Sequence, residues 1–415
     1  MRTMQTCYLA LVVALGWAAP TVAAQAARDS AGTRIIENAR PIWMPGNEWR
    51  LSEQPTLVVG EAAGGVGHLG RIAGATRLSD GRVVIADQAT LQLKFYDPSG
   101  RHLQSVSATG PDLQTGPMRQ MPGFDKIRRL AGDSIAVESA GGAWIFTPSG
   151  TLARSVQFAP FPAGTLQGPH LLVLGRFHNG TAVAGDYPQG RRGPAGAQQW
   201  VDSASLFLIG RTGEVVRPLS NLPLVIFRAG PNGPRPMDMW PQGVWASSGS
   251  AFYWGFPEQY AIRVYDTDWN LQRIIRRTWT ARPFTAADQA SYVDGWMQMW
   301  SKATGAAREA ERKEMLESAY PELIPPFSDV LATPAGELWV READLTGAPG
   351  CWCFAGLSTV PSKWSVFDGG GRWLGDVAMP PRFIPLEIGA DYVLGRSREL
   401  DAISRVVMYR LEKPR

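Results

Sequence analysis

The sequence predicts an all-β fold, a six-bladed β-propeller, from three observations. A glycine followed by a short apolar strand recurs six times, and a second strand that runs into a tight turn also recurs six times. Successive copies are roughly 50 residues apart, which suits four short strands and their turns. The first pattern begins at Gly81, Gly132, Gly180, Gly249, Gly336 and Gly389. The second pattern occupies residues 93–100, 144–150, 206–213, 262–268, 364–371 and 405–409.

The two ends of the repeat array complement each other. The sixth unit ends near Leu411 without a fourth strand, whereas an isolated apolar strand, residues 56–59, precedes the first unit. Because an open sheet edge invites unwanted pairing, we expect this N-terminal strand to close the last blade. The predicted organisation is a signal peptide (1–24), a polar leader without a convincing pattern (25–55) and the propeller (56–411).

Four segments exceed the repeat spacing. Residues 284–320 begin with a helix-capping threonine and are rich in helix-forming residues, which predicts a small helical insertion between blades 4 and 5. The loops 187–199, 229–241 and 343–362 are also long. All four segments fall on connections that reach the same face of a propeller, which we call the long-loop face. We expect a binding site there, since loops of excess length are often functional.

The N-terminus has the pattern of a secretory signal. Arg2 supplies the positive start, and an apolar run at residues 8–19 is too short to span a bilayer. Val22, Ala23 and Ala24 offer a small-residue cleavage site. We therefore expect the mature chain to be periplasmic or secreted, without a transmembrane segment.

The charge balance excludes one class of partner. The formal net charge is only +4 over 415 residues, and no stripe of lysine or arginine alternates with aromatic residues. This pattern argues against nucleic acid as a ligand. We expect the mature protein to be a monomer or a subunit of an envelope complex.

Two cysteines follow the signal, Cys351 and Cys353, with one residue between them. In an oxidising compartment these cysteines are expected to be oxidised or closely paired. A disulfide between such near neighbours would close a small, strained ring. The sequence leaves this strained clip and a pair of unpaired thiols open. The alternative is a redox or metal role. It is disfavoured because zinc sites use wider spacing and more ligands.

The candidate site residues are mostly acidic. The second strand of five blades ends in a carboxylate, at Asp87, Glu138, Asp186, Glu258 and Glu342. The beginnings of three innermost strands add Asp125, Gln242 and Asp329. All eight are expected to point towards the long-loop face, near the mouth of the central channel.

This acidic set has two interpretations. A ring of carboxylates can hold calcium or zinc, with Glu138 and Asp186 as the first candidate ligands, or it can hold a cationic ligand. It can also be structural, with each carboxylate bonded to its own blade loop and to Arg77, Arg128 or Arg176. Repetition favours the structural interpretation, since a catalytic group is needed once rather than five times. No cofactor is predicted.

The repeated units resemble those of exported bacterial six-bladed propellers related to the NHL-repeat group. Residues 77–87 with 93–100 show the resemblance best, together with the closing segment 383–411. The resemblance covers the chain from about Thr56 onward and implies a propeller fold. Relatives of this architecture include binding scaffolds, metal-dependent lactonases and lyases. The chain does not contain a recognisable version of the metal sets of those enzymes, and a fold alone does not define a function.

The leading functional hypothesis is a non-catalytic propeller that binds a protein, peptide or glycan on its long-loop face. The alternative is a metal-assisted hydrolase or lyase, similar to a lactonase, that uses the carboxylates at the channel mouth.

Overall fold

The computed structural model describes residues 25–30, 32–60, 68–107, 126–139, 142–159, 171–186, 193–230, 233–344, 360–398 and 404–414. These residues form six antiparallel blades around a central channel. The predicted six-bladed β-propeller is therefore confirmed.

The N-terminal residues form β1 (Gln25–Ser30), β2 (Thr33–Asn38), β3 (Arg50–Leu51) and β4 (Leu57–Val59). Blade 1 contains β5 (Ile72–Arg77), β6 (Val83–Asp87), β7 (Gln92–Tyr96) and β8 (His102–Ser107). Blade 2 contains β9 (Lys126–Arg129), β10 (Ile135–Ser139), β11 (Gly142–Phe146) and β12 (Leu152–Gln157). Blade 3 contains β13 (Leu171–Arg176), β14 (Ala182–Asp186), β15 (Gln199–Ile209), β16 (Val215–Arg228) and β17 (Arg235–Pro236).

Blade 4 contains β18 (Val244–Ser247), β19 (Phe252–Gly255), β20 (Ala261–Tyr265) and β21 (Leu271–Arg277). Two helices follow it, α1 (Ala286–Trp300) and α2 (Gly305–Leu316). Blade 5 contains β22 (Phe327–Ala332), β23 (Leu338–Glu342), β24 (Ser362–Phe367) and β25 (Trp373–Met379). Blade 6 contains β26 (Phe383–Ile388), β27 (Tyr392–Arg398) and β28 (Ser404–Glu412).

The second strand of each blade explains the apolar repeat in the sequence. It lies in the middle of its sheet, so neighbouring blades cover both faces, and all five residues of β6 and of β10 are buried. The turn before β6 needs a left-handed residue, and Gly81 adopts φ 88° there. Gly336 adopts φ 87° at the same place in blade 5. A side chain is disfavoured at this angle, which accounts for the glycine in blades 1 and 5, and Gly132 and Gly180 also have positive φ.

The hydrophobic core is divided into layers between adjacent blades. One cluster of the described residues packs blade 1 on blade 2 around Phe95 and Trp144. Further clusters join blades 2 and 3, 3 and 4, 4 and 5, 5 and 6, and 6 and 1. Each blade is therefore stabilised by burial against both neighbours.

The last blade includes strands from both ends of the chain. Val58 in β4 pairs antiparallel with Val407 in β28, and Leu51 in β3 pairs with Leu411. These strands cover the outer edge of blade 6.

The leader contains structure where the sequence shows no pattern. Strand β2 pairs parallel with β21, the outer strand of blade 4. The backbone N–H groups of Ile42 and Trp43 then donate to Trp373 and Leu374 in the outer strand of blade 5. Residues 33–59, which we call the strap, thus run along the outer edges of blades 4, 5 and 6. Because the strap strands are short and are ordered by hydrogen bonds to other blades, the local sequence gives little sign of them.

Asn38 joins two blades through the strap. Its Nδ2 donates to the carbonyl of Arg276 in blade 4 at 2.9 Å and to that of Gly371 in blade 5 at 3.0 Å. Its Oδ1 accepts from the N–H of Trp373 at 2.8 Å. The side chain is 1% exposed. A buried amide with these bonds fixes the strap against both blades.

The helical segment lies on the long-loop face, because it connects the end of β21 to the beginning of β22. Thr285 and Asp288 form a reciprocal capping box at the start of α1. Met239, Tyr292, Val293 and Met297 form a separate cluster under the helices. Among the described residues, neither helix is long and apolar enough to cross a membrane.

We predict that Asn38→Ala destabilises the protein by about 2–3 kcal/mol, because it leaves buried backbone groups of blades 4 and 5 without partners. Urea unfolding followed by tryptophan fluorescence should show a lower midpoint. Asn47→Ala, an exposed position in the same strap, is the matched control and should change stability by less than about 0.5 kcal/mol. Equal effects of the two variants would contradict the role given to Asn38.

Candidate functional site

The central channel contains a cavity of about 530 Å³. The innermost strands of all six blades line it, together with residues that end the second strands. A cavity of this size is in the range of roughly 300–1,000 Å³ that suits a small ligand or the end of a larger one.

The charged lining of the cavity is mainly cationic. Asp329 in β22 is the carboxylate among the described lining residues. Four cationic side chains share the wall with it, Arg71, Lys126, Arg341 and Arg396. They belong to blades 1, 2, 5 and 6 and lie near strand ends at the long-loop face. The site therefore favours an anion over a cation.

Lys126 lines the cavity, and its side chain forms no hydrogen bond or ion pair with another described residue. The residue is partly buried. The neighbouring charge of Arg128, and secondly burial, lower the pKa of the Lys126 amine to about 7, although Glu138 and Asp329 oppose the shift. Near neutral pH this amine exists in both protonation states.

Asp329 is shifted in the opposite direction. Burial raises the pKa of its carboxyl to about 6, although the N–H of Val330, Arg341 and Lys126 act against the increase. The Val330 N–H donates to Asp329 Oδ1 at 2.8 Å. Two perturbed groups in one cavity are typical of functional sites, although ion-pair networks also produce such shifts.

Two further polar groups in the wall have no partner among the described residues. They are Ser328 Oγ and Arg341 Nε, and their side chains belong to residues that are 7% and 5% exposed. The other end of Arg341 is held, because its Nη2 donates to Asp344 Oδ2 at 3.2 Å. Buried polar groups are usually satisfied, so these two are exceptions among the lining residues.

Asp87, a predicted site residue, is committed to its own blade. Its Oδ1 accepts from the N–H of Arg71 at 3.0 Å and of Ala89 at 3.1 Å. Lys94 Nζ lies 3.1 Å from Asp87 Oδ2. Burial raises the pKa of Asp87, but these donors outweigh it and hold the pKa below its ordinary value.

Glu138 lies between blades 2 and 3, bound to two arginines. Arg128 Nε and Arg176 Nε each lie 3.0 Å from one of its carboxylate oxygens. The side chain is 1% exposed. Burial raises the pKa of Glu138, yet the two guanidinium charges lower it below its ordinary value. The arginines therefore occupy the oxygens that a metal would need.

The remaining predicted residues are dispersed. Asp186 is buried and accepts from the N–H of Ser205 at 2.7 Å. Glu342 accepts from Arg277 Nη1 at 2.8 Å and lies 3.2 Å from Lys363 Nζ. Glu258 is exposed to solvent.

The structure brings two of the eight predicted residues, Gln242 and Asp329, into the cavity wall. Asp125, Cys351 and Cys353 lie outside the described residues, so the possible disulfide remains a prediction. The described part of the chain contains no group of three or more His, Cys, Asp or Glu side chains placed to hold a metal ion.

Sequence reasoning missed the cations of the cavity because it searched the strand ends for carboxylates. Lys126 directly follows the predicted Asp125, and Arg341 directly precedes the predicted Glu342. A search for any charged residue at these repeated positions would have found both.

A raised wall flanks the channel mouth. Strands β15 and β16 of blade 3 are 11 and 14 residues long and extend at the long-loop face. The helical segment is bonded to the same blade. Arg228 Nη2 in β16 lies 3.1 Å from Ser318 Oγ, and Arg235 Nη1 in β17 lies 2.8 Å from Glu314 Oε1. The wall therefore adds protein surface at this face, outside the cavity, that a larger ligand can contact.

Comparisons with known proteins add solved structures of low identity. No protein-family model and no curated protein matches the chain. A candidate exported protein of Bacteroides fragilis is 10% identical, with a TM-score of 0.47 over 92% of this chain and 100% of its own. A DUF4221 family member from Bacteroides vulgatus is 8% identical, with a TM-score of 0.47 over 88% and 98%. A gluconolactonase from Xanthomonas campestris is 13% identical, with a TM-score of 0.37 over 89% and 99%.

We predict that Glu138→Gln destabilises the protein by about 3–5 kcal/mol at neutral pH, because it leaves two buried guanidinium groups without a counter-charge. The loss should appear as a lower urea midpoint, with or without EDTA. Since the folded pKa of Glu138 is lowered, its contribution is present at neutral pH and is lost as the pH falls through that lower value.

The variant should therefore lose stability less steeply in acid than the parent protein. Glu258→Gln, at an exposed position, is the matched control. A parent protein that calcium stabilises, and a Glu138→Gln variant that calcium does not, would assign a metal to this carboxylate instead.

Proposed function

We propose that this chain is a non-catalytic binding propeller that takes a carboxylate-bearing ligand at the channel mouth of its long-loop face. The observation that supports this proposal is the cavity wall, in which four cationic side chains share the lining with Asp329. The chain would act in the periplasm or outside the cell, as a monomer or as a subunit of an envelope complex.

The chemistry of the wall favours a carboxylate. Guanidinium groups bind carboxylates through two parallel hydrogen bonds, and Arg71, Arg341 and Arg396 all line the cavity. In a partly enclosed cavity, charge attraction is stronger than on an open surface.

The raised wall gives the rest of a ligand a place to bind. The carboxylate can belong to a small organic acid, to the C-terminus of a peptide or protein, or to an acidic sugar of a glycan. In each case the acidic group enters the channel, while the body of a larger ligand contacts blade 3 and the helical segment.

We predict binding that depends on the carboxylate. Calorimetric titration should use matched pairs: lactate against propane-1,2-diol, a short peptide against its C-terminal amide, and a uronate disaccharide against its neutral counterpart. The acidic member of at least one pair should bind, and the pair that responds identifies the ligand source. Lys126→Gln and Arg341→Gln should each weaken binding about tenfold or more, which corresponds to about 1.4 kcal/mol.

Arg34→Gln, at an exposed position of the strap on the outer edge of blade 4, should leave the affinity unchanged. Equal binding of acidic and neutral members in all pairs, or no binding at all, would contradict the proposal.

We also predict that lactate binds more tightly as the pH falls from about 8 to about 5.5. Lys126, with a pKa of about 7, gains a positive charge over this range. Asp329, with a pKa of about 6, loses a negative charge. Both changes make the cavity more positive, while lactate stays ionised. In titrations across this range, Lys126→Gln should abolish the step near neutral pH and Asp329→Asn the step at lower pH. Affinity that rises with pH would contradict this assignment.

A further inference from the structure

We propose that Lys126 captures its ligand covalently, as an imine with a 2-oxo carboxylate bound in the channel. This inference rests on the proposed function, since the carboxylate must first be held by the cationic wall. It adds a reactive group and narrows the ligand class to acids that carry a carbonyl beside the carboxylate.

The position of Lys126 separates it from other lysines of the chain. Lys94 lies 3.1 Å from Asp87, Lys363 lies 3.0 Å from Asp376, and Lys413 lies 3.6 Å from Glu337. Lys126 instead lines the cavity and has no bonded partner among the described residues. Its amine is therefore available to a molecule in the channel.

The surroundings of Lys126 favour the free amine. Arg128, two residues further along the same strand, repels the ammonium form, and burial adds to this effect. Glu138 cannot fully offset them, because its own charge is shared between Arg128 and Arg176. A lysine beside another cation in a partly buried site is the usual form of an imine-forming amine.

The wall also contains the other groups that the reaction needs. Arg71 and Arg341 line the same cavity and can hold the carboxylate of the ligand. Ser328 also lines the cavity, and its hydroxyl can donate to the carbonyl oxygen. Asp329, in the same cavity, can supply a proton near neutral pH.

The step balances without an oxidant or a reductant. The lone pair of the Lys126 amine attacks the carbonyl carbon, and the electrons of the C=O bond move to oxygen, which is protonated. The nitrogen loses a proton to solvent, and the resulting hydroxyl group accepts a second proton from Asp329. The C–O bond then breaks, so that water leaves, and the nitrogen lone pair forms the C=N bond of a protonated imine. Addition of water reverses the step and releases the ligand.

Borohydride trapping tests this inference. Purified full-length protein is incubated with pyruvate and then with sodium borohydride, and the sites of modification are found by peptide mass spectrometry. We expect the reduced adduct at Lys126 and little or none at the exposed Lys302 and Lys313. Acetone, which lacks the carboxylate, should give at least tenfold less adduct, and Arg341→Gln should raise the pyruvate concentration required about tenfold.

The pH dependence gives a second readout. Adduct formation should decrease from about pH 7 to about pH 5, because protonation of Lys126 removes the nucleophile. Lactate binding should increase over the same interval. An adduct yield at Lys126 that increases as the pH falls, in parallel with lactate binding, would overturn the inference.

The outcomes distinguish the inference from the proposed function. Lactate binding that is weakened by Lys126→Gln, without an adduct at Lys126, overturns the imine and leaves the proposed function in place. Absence of the adduct, together with no binding of the acidic member of any matched pair, overturns both. An adduct of equal yield at Lys126, Lys302 and Lys313 reflects general amine reactivity and overturns the inference.

Discussion

A propeller blade can bury both faces of its sheet only when it has a neighbour on each side. This constraint explains why the hydrophobic core is divided into clusters that each join two adjacent blades. It also requires the first and last blades to meet, and the cluster around Leu57, Tyr96 and Leu394 lies at that junction. The strap adds hydrogen bonds along the outer edges of three blades, so that the N-terminal residues support the ring from outside.

The same packing also determines which partners the buried charged residues have. A carboxylate at a blade interface loses water on both sides, and it is stable there only when donors replace the water. Glu138 obtains two guanidinium groups, one from its own blade and one from the next. Once such carboxylates are paired within the blades, the cavity retains cations with fewer counter-charges. The cationic channel is therefore a consequence of how the ring is packed.

The candidate site shows how far position in a repeat can predict function. The strand-end positions predict a set of polar residues, but the repeat makes all members look equivalent. The structure makes them different: Asp87 holds a loop, Glu138 joins two blades, Glu258 faces solvent and Asp329 lines the cavity. These differences come from the neighbouring blade, which is distant in sequence.

The six-bladed fold follows from the sequence, because the apolar strands and the glycines recur and each unit specifies its own blade. The interruption at residues 284–320 is also visible in the sequence. The course of the strap and the charge of the channel mouth are visible only in the folded ring. Short strands without an apolar pattern, and buried ionisable groups, depend on partners that other blades supply. The local sequence predicts the strands of one blade, whereas the contacts between blades exist only after the ring has formed.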